Sequence, residues 1–219
     1  MKTRIIFASI LLQILTVPLW ADWGACSIGA SGAAGDNGPQ ILTSSSDTGN
    51  GTTDFTLTAT GTPLADKTDS LGFASGPAKI KGDCEIVAQV VGVSQGTQDW
   101  AAGGLMIREN YGADSRFFAA GCTRSHGIQS FVRNEQGTVV AAQQNCSDCN
   151  PPIWLKIVRQ GNHFTSYKSM DGRIWLEINE ADVPMKKAVW VGAFATSGGG
   201  APAAEIDFAH VTAHEIASQ

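Results

Sequence analysis

Ile153-Trp-Leu-Lys-Ile-Val-Arg-Gln-Gly-Asn-His-Phe-Thr-Ser-Tyr-Lys-Ser169 is the stretch that decides the fold. From Ile153 to Arg159, apolar Ile153, Leu155 and Ile157 alternate with Trp154 and Lys156. That period of two puts the first three on one face of a strand and the last two on the other. Gly161-Asn162 is a turn signal, and His163–Ser169 is a second short run. Two such runs around a tight turn predict a β-hairpin.

Working outward, the same signature recurs in both directions. Phe55, Leu57 and Ala59 alternate with threonines, and Cys84, Ile86, Ala88 and Val90 with Glu85, Val87 and Gln89. Further runs are Gly104–Arg108, Arg116–Cys122, Ile128–Arg133, Thr138–Gln143, Ile174–Ile178, Val189–Thr196 and Glu205–Ala213, with Gln136-Gly137 and Asp171-Gly172 as additional turn signals. No stretch beyond the N-terminus carries helical periodicity. Roughly eleven strands in one domain need two packed sheets, so the expected class is all-β, a two-sheet antiparallel β-sandwich.

Three segments divide the chain. Lys2 and Arg4 precede an apolar run, Ile5–Leu19, broken only by Ser9, Gln13 and Thr16, and Ala21 offers a small residue for cleavage. This reads as a signal peptide over 1–21, since a membrane span needs roughly 20 apolar residues. Gly24-Ala25-Cys26 also resembles the end of a lipoprotein processing site, so a lipid anchor at Cys26 stays open beside cleavage after Ala21. Residues 22–52, rich in Gly, Ala and Ser, read as a flexible lead-in, and 53–216 as the sandwich domain. A secreted or periplasmic location follows, with no transmembrane segment in the mature chain.

Charge narrows the partners. Removing residues 1–21 takes away two bases and no acid, so the net charge moves from −5 to −7. An acidic chain lacks the basic patches that nucleic acid requires. In an exported protein the five cysteines imply disulfides. Cys146–Cys149 and Cys84–Cys122 are the expected pairs, with Cys26 free, removed or lipidated.

Four segments resemble a known family. Trp100-Ala-Ala-Gly-Gly-Leu-Met-Ile-Arg108, Trp154-Leu-Lys-Ile-Val-Arg-Gln-Gly-Asn-His-Phe-Thr165, Tyr167-Lys-Ser-Met-Asp-Gly-Arg-Ile-Trp175 and Val189-Trp-Val-Gly-Ala-Phe-Ala-Thr-Ser197 resemble, in order, segments of bacterial concanavalin A-like modules. These are the modules labelled as related to regulation of enolase, or as laminin G-like jelly rolls. The likeness covers roughly residues 53–214 and implies a concanavalin A-like jelly roll. It departs at Ala209, where many members carry Asp, and in a tighter Ser169–Gly172 hairpin. These modules are mostly uncharacterised, so function has to be read from the residues.

Two motifs look catalytic and are read otherwise. Gly92-Val-Ser-Gln-Gly96 has the spacing of a nucleophile elbow, but a strand pattern follows where the elbow needs a helix. Glu205 and Asp207 share a strand face, as glycosidase carboxylates do, but Ala209 stands where a third acid would complete the set. Neither is expected to be catalytic. No cofactor is required. A structural calcium stays open, with Asp36, Asp47, Asp66, Asp69 and Asp207 as available acids and no spacing that selects among them.

The functional signal lies on the strand faces opposite the apolar residues. Arg108, Gln129, Phe131, Arg133 and Lys156 would gather on one face if their strands are neighbours. Aromatic faces and planar polar groups suit sugars, so these five are the expected ligand-binding residues, and His126 and His163 are expected in loops. The leading reading is a secreted, non-catalytic carbohydrate-binding module. The alternatives are a glycoside hydrolase or lyase on the same fold, which requires facing carboxylates, and a structural or adhesive envelope protein, which requires no groove.

Overall fold

The computed structural model describes residues 23–29, 40–42, 51–94, 98–199 and 202–217. The signal segment, most of the lead-in, Asp36 and Asp47 lie outside the described residues. The strands are β1 (Gly24–Ile28), β2 (Gln40–Leu42), β3 (Thr53–Ala59), β4 (Leu71–Ser75), β5 (Ile80–Lys81), β6 (Cys84–Val93), β7 (Ala102–Arg108) and β8 (Phe117–Thr123). They continue as β9 (Gly127–Arg133), β10 (Ala141–Cys146), β11 (Ile153–Gln160), β12 (His163–Ser169), β13 (Leu176–Asp182), β14 (Ala188–Thr196) and β15 (Ala204–Glu215). No helix occurs among the described residues.

The strands form two antiparallel sheets. The first runs β1-β4-β14-β7-β8-β9-β10, with β5 paired to β14, and the second runs β13-β12-β11-β6-β15-β3-β2. The expected hairpin is β11–β12, with Trp154 opposite Ser169 and Gln160 opposite His163. Gly161 holds a left-handed φ of 63° there, the conformation that this tight turn demands and that glycine adopts at least cost. Ile153, Leu155 and Ile157 enter the core between the sheets together with Ile86, Leu105, Ile107, Ile128, Val191 and Ile206.

Residues 24–28 and 40–42, read from composition as lead-in, are strands: β1 pairs with β4 and β2 with β3. An edge strand needs only a partner with free backbone groups, and composition does not report on that. A second difference is larger. Both faces of β7 and β8 are buried. One face meets the second sheet. The other carries a smaller core that includes Ile28, Leu64, Phe73, Met106, Phe117, Phe131 and Phe194. Leu64 comes from the segment between β3 and β4, which crosses this outer face. It is held there by Thr62 N–H to Ser70 O (3.0 Å) and Asp69 N–H to Ala113 O (2.7 Å).

Cys146 and Cys149 form the expected disulfide, with Cα atoms 5.5 Å apart. Cys84 and Cys122 do not pair; both are free, buried thiols. They lie on different sheets and at opposite ends of them. Cys84 opens β6 opposite Arg159 and Glu215. Cys122 is opposite Gly103, which packs on Ile206, the partner of Val93 at the far end of β6. Nine residues of strand separate those ends by ~30 Å, against the ~7 Å limit for a bridge. Burial pushes each thiol up to about 12. Neither should react with iodoacetamide at pH 8 in the native protein, and both should react once it is unfolded in guanidinium. Mass spectrometry reads the outcome, and a Cys84–Cys122 bridge or rapid native labelling of either thiol would contradict it.

Candidate functional site

The outer face of the first sheet is built in rows. Arg108, Phe117 and Arg133 are mutually opposite on β7, β8 and β9, followed by Met106, Ala119 and Phe131, then by Gly104, Gly121 and Gln129. The first row is filled and sealed. Arg108 and Arg133 are fully buried, and Asp69 lies between them, with Arg133 Nη2 at 2.7 Å and Arg108 Nη2 at 3.3 Å from its carboxylate. The remaining guanidinium nitrogens are bonded inside the protein. Arg108 donates to Asn110 O (2.8 Å), Gly112 O (2.7 Å) and Met106 Sδ (3.5 Å). Arg133 donates to Thr138 O (2.9 Å), Ala113 O (3.2 Å), Ser115 O (3.1 Å) and Asp66 O (2.7 Å).

Alternation therefore predicts the face of these two arginines correctly and their availability wrongly. The segment carrying Asp69 covers them, and every guanidinium nitrogen is engaged inside the protein. Lys156 is corrected differently. It lies on β11 of the second sheet, on the far side of the sandwich from Gln129 and Phe131. There its ammonium sits 4.5 Å from the Trp175 ring centre, 5.0 Å from that of Tyr167 and 3.9 Å from Glu85. The five residues do not form one surface.

Where the rows become small, a cavity of about 400 Å³ opens. Ala102, Thr123, Gln129, Phe131, Ala142 and Gln144 line it from the sheet, and Pro63, Leu64 and Ala65 from the covering segment. Trp100 completes the lining and remains 45% exposed. Its ring stacks on His126, centre to centre 3.9 Å. Both sit in turns at the same end of the sheet, and hydrogen bonds tie those turns together: Arg124 N–H to Ala101 O (2.8 Å), and His126 N–H to the side-chain Oγ1 of Thr123 (2.9 Å). Gln144 Nε2 donates to the His126 carbonyl at 3.2 Å. No lining residue is charged.

Trp100 and Gln144 carry no functional expectation in the sequence reading. Trp100 stands at the head of a segment that matters for fold, and Gln144 on a strand whose residues are mostly exposed. Only the approach of the Pro63–Ala65 segment turns them into a lining. His126 lies in the β8–β9 turn, as expected, yet packs beneath the rim. His163 begins β12, where its ring meets Asp182 (3.0 Å) and Glu180 (3.4 Å).

The other motifs lie away from this cavity. Asp207 accepts from Thr56 Oγ1 (2.6 Å) on the exposed face of the second sheet, and Glu205 is exposed beside it. Ser94 Oγ accepts from the Glu205 N–H (2.9 Å) at the end of β6, and residues 95 and 96 of its motif lie outside the described residues. Of the acids considered for calcium, Asp69 is occupied by two guanidiniums. Among the described residues no three His, Cys, Asp or Glu side chains cluster as a metal site would require.

No family model matches the chain, and no curated protein matches it either. Solved structures do. A functionally unknown protein from Saccharomyces cerevisiae aligns with a TM-score of 0.62 at 17% identity, over 82% of this chain and 93% of that one. The carbohydrate binding module CBM66 from Bacillus subtilis aligns at 0.52 and 20% identity, over 81% and 96%. The VIP36 exoplasmic/lumenal domain, in its Ca2+/Man3GlcNAc-bound form, aligns at 0.52 and 15% identity, over 92% and 88%. At these identities the likeness is one of architecture, and the architecture is that of a lectin-like, concanavalin A-type jelly-roll sandwich.

Proposed function

We infer that this chain is a non-catalytic carbohydrate-binding domain acting outside the cytoplasm, and that the glycan enters the cavity on the outer face of the first sheet. The observation that carries this reading is the cavity's composition. A half-exposed indole lines the cavity together with the amides of Gln129 and Gln144, with no charged side chain in the lining. Indole faces bury the C–H faces of sugar rings, and amides match hydroxyls as both donors and acceptors. The volume lies in the lower part of the ~300–1,000 Å³ range of small-ligand sites.

Lectin and carbohydrate-module neighbours on the same fold support the reading, as does the disulfide for an oxidising compartment. A glycosidase needs two carboxyl groups about the scissile bond, and the lining contains none. A purely structural role gives no reason for a cavity lined by an exposed tryptophan and two amides.

A glycan array followed by calorimetry tests this. Binding should be weak, with Kd in the micromolar to millimolar range, roughly −8 to −4 kcal/mol. Trp100→Ala should weaken it at least about tenfold, ~1.4 kcal/mol, with little change in melting temperature. Unaltered affinity in a folded Trp100→Ala variant would move the site elsewhere.

A further inference from the structure

The cavity is closed at one end. Along β9 the outer face passes from Gln129 to Phe131 to Arg133, and the sheet beyond Phe131 is filled by Arg133, Phe117 and Arg108 under the covering segment. Phe194 stands edge-on to Phe131 (87°, centres 6.2 Å apart) and reaches the position a side chain at Gly121 would take. Pro63, Leu64 and Ala65 form the wall. A polymer cannot run through such a space along the strands, because its path ends on buried guanidiniums bonded to Asp69. A chain end can enter.

The polar chemistry inside is equally restrictive. Gln129 lines the cavity, is only 5% exposed, and makes no side-chain hydrogen bond among the described residues. An amide that lines the cavity with neither group engaged by the protein offers a ligand both a donor and an acceptor. Adjacent ring hydroxyls do both. A carboxylate or sulfate does not: it would satisfy the NH₂ group, face the carbonyl oxygen, and meet no cation, since every guanidinium nitrogen nearby is already bonded.

Resting on the carbohydrate-binding reading, we propose that the cavity takes the uncharged terminal ring of a glycan end-on, and that Gln129 is the residue that selects it. The internal rings of the chain stay outside, past Trp100, and contribute little. Recognition is then of chain ends and not of chain length. A charged terminal ring is refused.

The test uses the full chain and oligosaccharide ladders of two to six rings built from glucose, xylose, mannose or galactose, with a galacturonic acid ladder as the anionic probe. For the neutral sugar that binds, molar affinity should agree within about twofold from two rings to six, and the galacturonic acid ladder should not bind. Gln129→Leu should weaken binding at least about tenfold. Gln129→Asn, which keeps the amide but withdraws it by one methylene, should also weaken it, and it serves as the reading if the leucine variant does not fold. Affinity that rises stepwise with length, equal binding of the acidic ladder, or unchanged affinity in folded Gln129 variants would overturn end-on selection while leaving glycan binding intact. Absence of binding to every ladder would remove the carbohydrate reading and this proposal with it.

Discussion

Asp69→Ala should lower stability by about 3–5 kcal/mol, the largest effect expected of any single side-chain truncation in this protein. The carboxylate is nearly inaccessible and, among the described residues, is the one acid paired with the two fully buried guanidiniums. Removing it leaves two like charges facing each other in a low-dielectric interior without a counter-ion. It also removes one of the ties between the segment joining β3 and β4 and the sheet, leaving the Asp66 carbonyl bond to Arg133 and the Asp69 N–H bond to Ala113. Against a total stability of ~5–15 kcal/mol, the variant would be marginal or unfolded. Asp69→Asn should lose somewhat less, since its one carbonyl oxygen still accepts from one arginine, although its NH₂ group then faces the other. Urea unfolding followed by tryptophan fluorescence gives the ordering. A loss below about 1 kcal/mol for Asp69→Ala would mean that Leu64 and the backbone bonds of the covering segment hold it without the ion pairs.

Gly104→Ala should cost about 3 kcal/mol or more. Gly104 lies mid-strand in β7, paired on one side with Phe194 of β14 and on the other with Gly121 of β8. A methyl group there would overlap the Ala120 carbonyl oxygen and the Gly121 Cα, both backbone atoms. Neither can retreat without breaking the ladder between β8 and β9. Gly137 is the useful contrast. Its φ of 69° disfavours a side chain, but nothing lies within 4 Å of where one would go, so Gly137→Ala should cost only ~1–2 kcal/mol. Thermal unfolding of the two variants side by side should separate them clearly. Equal, small losses would show that the first sheet has more slack than this packing allows.

These two positions also mark what can be read from the residues and what cannot. The β11–β12 hairpin was legible because the alternation of Ile153, Leu155 and Ile157 and the Gly161-Asn162 turn are both local. The same logic placed Leu105 and Ile107 inward and Arg108, Gln129, Phe131 and Arg133 on the opposite face. Whether that face is open to water depends on a polar stretch, Gly61–Ser70, whose only strongly apolar residue is Leu64. It has no period to reveal that it crosses a sheet. Lys156 failed for another reason. Period two assigns a face within a sheet, not membership of a sheet, and the chain changes sheets between β10 and β11. Cys84 and Cys122 failed at the same level: both point inward as alternation requires, but inward from opposite ends. The cavity-lining residues Trp100 and Gln144 come from a turn and an edge strand, where hydrophobic patterning is silent.

The central claim is that a glycan occupies the cavity on the outer face of the first sheet. Titration of isotopically labelled protein with a neutral oligosaccharide, followed by amide and indole NMR shifts, tests it most directly. The account predicts that the Trp100 indole and the side-chain amides of Gln129 and Gln144 shift together and saturate with one Kd. Shifts confined to Trp154 and Trp175 on the second sheet would contradict it, and so would no shift with any neutral glycan.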